Sequence, residues 1–268
     1  MSLLKVHSQQ EGAFAEESII DVKNFKVFFN DLQVLKNINL SFPQNSITCI
    51  IGPSGGGKST LLRSLNRIND EVEGFSCQGE LILENENVYD KKHKPEDLRA
   101  KVGMVFQRPC VFPKSIAENV LFGLSFQKKL SRQERAIIVE ESLRAVGLWS
   151  ETSHRLKSSA TSLSIGQQQR LCIARTITVK PKVLLLDEPT SSLDPVSALA
   201  IEKLMLELKK EYSIIFVTHN IQQASRIADN IVFLCDGKVI EAGPKSQMFE
   251  NPSNEKTRSY LNSEFCDC

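Results

Sequence analysis

Short apolar runs separated by polar turns dominate the beginning of the chain. They occupy residues 19–22, 26–29, 35–42 and 47–51. Each run has the length of a strand rather than of a helix. After Gly52 the pattern changes, because residues 58–66 have the character of a helix and the apolar run at 80–83 is of strand length again. The pattern therefore predicts strands first and strand–helix units afterwards.

A different pattern fills residues 108–160, where strand signals fade. Apolar side chains recur there at spacings of three and four residues, at Ala136, Val139, Leu143 and Val146. This spacing places them on one face of a helix. We expect a mostly helical insertion within an α/β core.

Strand signals return in the last third of the chain, in the runs at 182–187 and 213–218. A helix between these runs has one apolar face, formed by Ile201, Leu204, Met205 and Leu208. Strands that alternate with helices predict a parallel sheet with right-handed crossovers. Asp236-Gly237 between two further apolar runs predicts a β-hairpin. The predicted fold class is α/β.

Length and charge narrow the possible functions. The chain has 268 residues, which suits one large α/β domain or a core with a small subdomain. Thirty-three Lys and Arg balance 32 Asp and Glu, so charge gives no overall bias towards nucleic acid, and we expect no nucleic-acid partner. No apolar run approaches the roughly 20 residues of a membrane span, and residues 1–14 lack the apolar segment of a signal peptide. We expect a cytosolic protein that reaches a membrane only through a partner.

The seven cysteines lack paired metal-site spacing, and we expect free thiols in a chain of this length. They are Cys49, Cys77, Cys110, Cys172, Cys235, Cys266 and Cys268. Metal binding or oxidation at Cys266 and Cys268 remains an alternative to an inert chain end.

A phosphate-binding loop is predicted after the apolar run at 47–51. The sequence there fits G-x-x-x-x-G-K-[ST] in the strand–loop–helix context that this motif requires. Glycines allow successive backbone N–H groups to point at phosphate oxygens, while Lys58 reaches the β- and γ-phosphates and Ser59 binds Mg²⁺. A glycine-rich turn without a ligand is the alternative. The residues expected around the phosphates are Gly52, Pro53, Ser54, Gly55, Gly56, Gly57, Lys58, Ser59 and Thr60.

Two acidic residues follow the apolar run at 183–186. Asp187 and Glu188 come at the carboxyl end of that predicted strand, the edge where α/β sheets bind ligands. We expect Asp187 to hold Mg²⁺ through water and Glu188 to orient or deprotonate an attacking water. A solvated acidic pair is the alternative. His219 follows the next predicted strand, at the same edge of the sheet. A lone histidine in such a position is more often a hydrogen-bonded loop residue than a catalytic one.

These motifs, in this order, resemble those of ATP-binding-cassette (ABC) ATPases from about Ile19 to Tyr260. The stretch from Leu163 to Arg170 resembles the LSGGQ signature of that family, with Ile165 in place of its first glycine. The resemblance implies a P-loop NTPase core with a mixed sheet and an N-terminal antiparallel β subdomain. It implies one ATP-binding domain at 19–260. Its RecA-like core and antiparallel subdomain span 19–107 and 161–260, its helical subdomain spans 108–160, and its tails are 1–18 and 261–268.

The resemblance also implies roles for single residues. Phe29 stacks on adenine, with a buried strand phenylalanine as the alternative. Gln107 contacts both Mg²⁺ and the attacking water, and His219 senses the γ-phosphate, so that Glu188, His219 and Gln107 form the catalytic set. Mg²⁺ is held by Ser59, Gln107 and Asp187. The residues implied to reach the nucleotide of a second copy are Ser164, Gly166, Gln167 and Asp194.

A narrower resemblance is to the ATP-binding subunits of bacterial phosphate importers. The segments that carry it are 65–70, 102–107, 167–175 and 218–224. It implies ATP and Mg²⁺ as cofactors, a head-to-tail dimer, two membrane permease subunits, a solute-binding protein, and a peripheral position on the cytoplasmic membrane face. Val111 and Phe112 would belong to the permease contact at 107–117 or to the core of the insertion. The alternatives are import of another solute such as amino acids, a soluble non-transport ABC ATPase, and a nucleotide-binding regulator without useful hydrolysis.

Overall fold

The computed structural model describes residues 17–127 and 129–262. Its strands in chain order are β1 (Ser18–Phe29), β2 (Leu32–Pro43), β3 (Ile47–Ile51), β4 (Phe75–Leu83), β5 (Glu86–Asn87), β6 (Val102–Val105), β7 (Val183–Asp187), β8 (Ser213–Val217), β9 (Asn230–Cys235) and β10 (Lys238–Pro244). Its α-helices are α1 (Lys58–Ser64), α2 (Pro95–Lys101), α3 (Ile116–Leu121), α4 (Arg132–Ala145), α5 (Trp149–Thr152), α6 (Ile165–Ile177), α7 (Pro195–Leu208), α8 (Ile221–Ile227), α9 (Lys245–Glu250) and α10 (Glu255–Leu261). Short 3₁₀ turns occupy Ile68–Glu71, Gly123–Phe126, Ser153–Arg155 and Ala160–Ser162.

The central sheet has six strands in the order β10-β9-β3-β8-β7-β6. Neighbours from β9 to β6 are parallel, and β10 returns antiparallel to β9 through the hairpin expected at Asp236-Gly237. Strands β3, β7 and β8 are buried along their whole length. Leu184 and Leu186 face one core cluster while Val183 and Leu185 face the other, which explains why this strand reads as a continuous apolar run.

A second, antiparallel sheet has the order β2-β1-β4-β5. The sequence suggested separate strands at 19–22 and 26–29, but β1 runs unbroken through both. Its pairing register with β2 shifts between Val22 and Phe25, and Asn24 there has a φ of 49°. A bulge at an asparagine therefore interrupts the alternation of side chains without ending the strand.

Helices α3, α4 and α5 fill the insertion, as the sequence predicts. The expected apolar face is only partly correct, because Ala136 is exposed, whereas Val139 and Leu143 of α4 and Val146 directly after it are buried. The first half of the helix lies at the surface, where Ser131 and Glu134 form a capping box that stabilises its start without packing.

Helix α2 has no counterpart in the sequence predictions, since it buries only Leu98. Its signals are instead those of helix ends. Pro95 stands at the start, acidic side chains follow in the first turn, and Arg99 and Lys101 lie in the last turn.

The described cysteines differ in state. Cys49 and Cys172 are buried free thiols, while Cys77 is half-buried and Cys110 is exposed. Cys235 is disulfide-bonded, so the expectation of a free thiol is wrong there. Cys266 and Cys268 lie outside the described residues. No α-helix within 17–127 or 129–262 is long and apolar enough to cross a membrane.

Candidate functional site

The loop at 52–57 connects the buried strand β3 to α1 and lies against the end of β9. Gly52 has a φ of 146°, and a Cβ there would come within 1.9 Å of the Leu234 carbonyl oxygen. Gly57 has a φ of 96° immediately before the helix. Both positions exclude larger residues, because the left-handed backbone and the close approach each require glycine.

Lys58 is buried at the start of α1. Its Nζ donates to the carbonyl oxygens of Gly52 and Pro53, each at 2.8 Å. Burial lowers the pKa of Lys58, while the nearby carboxylates of Glu188 and Asp187 oppose that shift. An ammonium group has three donors, so a third remains for an anion above the loop.

Asp187 ends β7 and is buried beside α1. Its Oδ1 accepts from Ser59 Oγ at 2.8 Å, and its Oδ2 accepts from Arg63 Nη2 at 3.1 Å. The carboxylate and the hydroxyl are hard oxygen ligands of the kind that Mg²⁺ prefers. Within the described ranges no three His, Cys, Asp or Glu side chains form a metal cluster. The chemistry of this site therefore suits an ion that takes few protein ligands and keeps water or substrate oxygens.

Arg63 is a site residue that sequence reasoning missed. It lies four residues after Ser59, one turn further along α1, and this spacing was the available signal. Its ion pair with Asp187 places a positive charge beside a buried carboxylate.

Glu188 stands one residue beyond β7 and has a left-handed backbone, with a φ of 46°. Its Oε2 lies 3.0 Å from His219 Nδ1 and 3.5 Å from Gln107 Nε2. Gln107 Nε2 also donates to Ser191 Oγ at 3.1 Å, a partner that the sequence did not indicate. The three side chains expected to form the catalytic set are thus brought together from three separate loops.

The signature segment starts α6 at a different place. Ser164 caps the helix, with its hydroxyl accepting from the Gln167 N–H and the Gln167 side chain accepting from the Ser164 N–H. Among the described residues no hydrogen bond joins Ser164, Gly166 or Gln167 to the phosphate loop. One copy of the chain does not bring these residues into the cluster around Glu188.

Asp194 caps α7 close to the signature segment. Its Oδ1 accepts from the N–H groups of Val196 and Ser197, each at 3.0 Å. The Ser197 hydroxyl and these N–H groups hold the pKa of the Asp194 carboxyl below its ordinary value. A Cβ at Gly166 would lie 2.7 Å from Ser197 Oγ, so the two helix starts are in close contact.

Phe29 is the last residue of β1 in the antiparallel sheet. It is half-buried, and its ring centroid lies 5.8 Å from that of Phe75. Part of the ring is accessible for stacking and part packs in the protein.

Ile165 occupies the first position of α6 and has a helical backbone. Its side chain is 53% exposed, whereas Gly166 is the position at which a side chain would clash with Ser197. We expect Ile165→Gly to change the ATPase rate by less than about twofold and to cost about 0.5–1 kcal/mol of stability. Steady-state hydrolysis and thermal unfolding measure the two effects, with Ile165→Ala as the control for loss of the side chain alone. A rate change above about fivefold in both variants would contradict this expectation.

The chain is similar to known proteins over most of its length. The ABC transporter family model matches residues 35–191. The chain is 47% identical over 246 residues to the phosphate import ATP-binding protein PstB of Pseudoalteromonas translucida, covering 92% of this chain and 90% of that protein. It is 48% identical over 247 residues to the PstB of Idiomarina loihiensis, covering 92% and 91%.

The fold has a solved counterpart. The structure of cbiO1 from Clostridium perfringens, described as part of the ABC transporter complex cbiONQ, matches with a TM-score of 0.76 and 32% identity, covering 92% of this chain and 96% of that one. The expected fold class is confirmed by this match together with the two sheets. Because the family model spans more than half of the chain and the curated relatives align over 92% of it, the protein belongs to the ABC transporter family and is one of its ATP-hydrolysing subunits.

Proposed function

We propose that this protein hydrolyses ATP with Mg²⁺ to power phosphate import across the cytoplasmic membrane. The observation that carries the catalytic part is the 3.0 Å contact between Glu188 Oε2 and His219 Nδ1 at the carboxyl edge of the sheet. The names of the two PstB relatives support the choice of phosphate.

In this proposal different residues of the chain bind the phosphates, the adenine, the metal ion and the attacking water. Lys58 and the N–H groups of residues 54–60 bind the phosphates, and Phe29 stacks on the adenine. Ser59, Asp187 and Gln107 would hold Mg²⁺, which would supply charge neutralisation when bound. Glu188 orients the attacking water and accepts its proton, while His219 fixes the Glu188 carboxylate.

A second copy of the chain completes each site. Ser164 and Asp194 are exposed, and Ser164, Gly166 and Gln167 make no hydrogen bond to the phosphate loop within the described residues. In a head-to-tail dimer these side chains and the N–H groups at the start of α6 would approach the γ-phosphate of the partner. The capped helix start is already formed for that contact.

An aromatic groove offers a contact for the permease subunits. The Phe112 and Phe122 rings are 4.1 Å apart, and the Arg175 guanidinium lies 4.5 Å from the Phe112 centroid. Phe126 extends this surface and is 76% exposed. Val111 instead packs against the core. Of the two residues considered for the permease contact, Phe112 therefore belongs to this aromatic surface and Val111 does not. An exposed apolar surface beside the Gln107 loop fits contact with a permease subunit at the cytoplasmic face of the membrane. A solute-binding protein would deliver the solute to that permease.

Co-expression with the phosphate permease subunits and binding protein of a relative tests this function. We expect co-purification and ATPase activity that rises with phosphate-loaded binding protein in proteoliposomes. Phe126→Glu should weaken co-purification at least about fivefold, because a buried charge opposes the apolar contact. Ile137→Glu, at another exposed apolar position of the insertion, is the control. Stimulation by amino-acid-loaded binding protein instead would identify a different importer, and full activity without any permease would favour a soluble ATPase.

A further inference from the structure

Gln223 lies in the first turn of α8, almost fully buried between the segments that hold Glu188 and His219. Its Oε1 accepts from Thr218 Oγ1 at 2.8 Å, and Thr218 directly precedes His219. Its Nε2 donates to Thr190 Oγ1 at 3.0 Å, and Thr190 lies two residues after Glu188. One side chain therefore contacts both segments.

The orientation of the Gln223 amide is fixed by charged neighbours. Nε2 also donates to Glu202 Oε1 at 3.1 Å, so both of its hydrogens have acceptors. Glu202 is buried and accepts from Arg226 Nε at 2.8 Å and from Arg226 Nη2 at 2.7 Å. Because the carboxylate accepts only, the amide nitrogen must face Glu202 and the amide oxygen must face Thr218.

The Glu188 segment needs such support. A non-glycine residue with a φ of 46° has a strained backbone, which persists only where its surroundings hold it. The Glu188 N–H donates to the Val217 carbonyl at 3.0 Å, which fixes one side of the turn. Thr190, held by Gln223, fixes the other side.

The His219 segment is held through the same amide. Thr218 Oγ1 donates to Gln223 and accepts from the Asn220 N–H at 3.0 Å, so the hydroxyl closes the turn around His219. The Asn220 side chain in turn accepts from the Gln223 N–H and caps α8. The relative position of Glu188 and His219 thus depends on contacts that converge on Gln223.

We propose that Gln223 is a positioning residue for ATP hydrolysis, acting through Thr190 and Thr218 to hold the Glu188–His219 contact. This role rests on the proposed functions of Glu188 and His219. Within the described part of the chain Gln223 makes no hydrogen bond to the phosphate loop or to Lys58. Its loss should therefore lower kcat and leave nucleotide binding unchanged.

The first experiment measures hydrolysis and ATP binding of Gln223→Ala. We expect kcat to fall at least about tenfold, since small displacements of catalytic groups are costly, with KM and Kd within about twofold. Gln222→Ala changes the exposed neighbour of the same type on α8 and should match the unmodified protein. If Gln223→Ala keeps its kcat, or loses binding as much as rate, the positioning role is wrong.

Two further measurements separate positioning from folding. In a His219→Ala background, Gln223→Ala should lower kcat by less than about a further twofold. If the losses of kcat in the two single variants multiply in the double variant, the two residues act independently and the proposal is contradicted. Gln223→Glu places a carboxylate against Glu202, and adding Glu202→Gln restores one donor and one acceptor. The double variant should recover at least about threefold of the kcat lost in Gln223→Glu, and no recovery would count against the proposal.

If Gln223→Ala does not fold, Thr190→Val and Thr218→Val remove one hydroxyl each at similar volume. Each should lower kcat at least about threefold with Kd unchanged, and unchanged kcat in both would overturn the role. Full turnover in Glu188→Gln would refute the catalytic assignment of Glu188 itself. Full turnover in Gln223→Ala beside an inactive Glu188→Gln would refute the positioning role alone.

Discussion

Replacing Glu188 with glutamine should slow ATP hydrolysis at least about 10²-fold while ATP still binds. The amide keeps the length of the side chain and its contacts with His219 and Gln107, yet it cannot accept a proton from water. Since hydrolysis reopens the proposed dimer, the variant should accumulate as an ATP-bound dimer. Single-turnover hydrolysis and size-exclusion chromatography with ATP measure the two effects.

Glu211→Gln is the matched control for this experiment. Glu211 is exposed in the turn between α7 and β8, outside the cluster around Glu188. It should leave turnover and elution unchanged. Undiminished turnover in Glu188→Gln would remove Glu188 from its proposed role, and loss of ATP binding would show that the change disturbed the loop instead.

Changing Lys58 to methionine should weaken ATP binding by roughly 10- to 10²-fold. The variant removes a buried ammonium whose hydrogen bonds to charged phosphate are each worth about 1.5–3 kcal/mol, and tenfold in Kd corresponds to about 1.4 kcal/mol. Methionine retains much of the volume of the side chain, so the loop should keep its packing. Titration calorimetry gives the dissociation constant, and thermal unfolding without nucleotide checks the fold.

The control for Lys58→Met is Lys210→Met, at an exposed lysine in the turn between α7 and β8. It removes one positive charge near the amino end of β8, whereas the loop follows the carboxyl end of the parallel strand β3, and it should leave the dissociation constant within about twofold. Equal affinity in the two variants would mean that Lys58 does not bind phosphate.

The local parts of the site could be predicted from the sequence. Gly52, Lys58 and Ser59 follow the buried strand β3 within one motif, and Asp187 ends β7. These two parallel strands, with β8 between them, end at the same edge of the sheet and bring the residues together. Such inferences need only the period of the strands and the chemistry of the loops.

The contacts around Gln223 could not be predicted in this way. Gln223 and Thr190 are 33 residues apart, and neither amides nor hydroxyls form a pattern that reveals a partner at such a distance. Arg63 differs in part, because its spacing of one turn after Ser59 was visible in the sequence, but nothing there showed that its partner would be Asp187. The prediction that Ala136 lies on a buried face was wrong for the opposite reason. Its apolar spacing was present, but the helix extends past the surface that would bury it.

The left-handed backbone at Glu188 bears on how this chain can change over generations. Glycine or asparagine would relax that turn, so a sequence selected only for folding would tend to lose the glutamate, and with it the proposed proton acceptor. Variants isolated for heat resistance alone are therefore expected to include inactive proteins altered at this position. Screens for robust forms of this protein need to select for turnover together with stability.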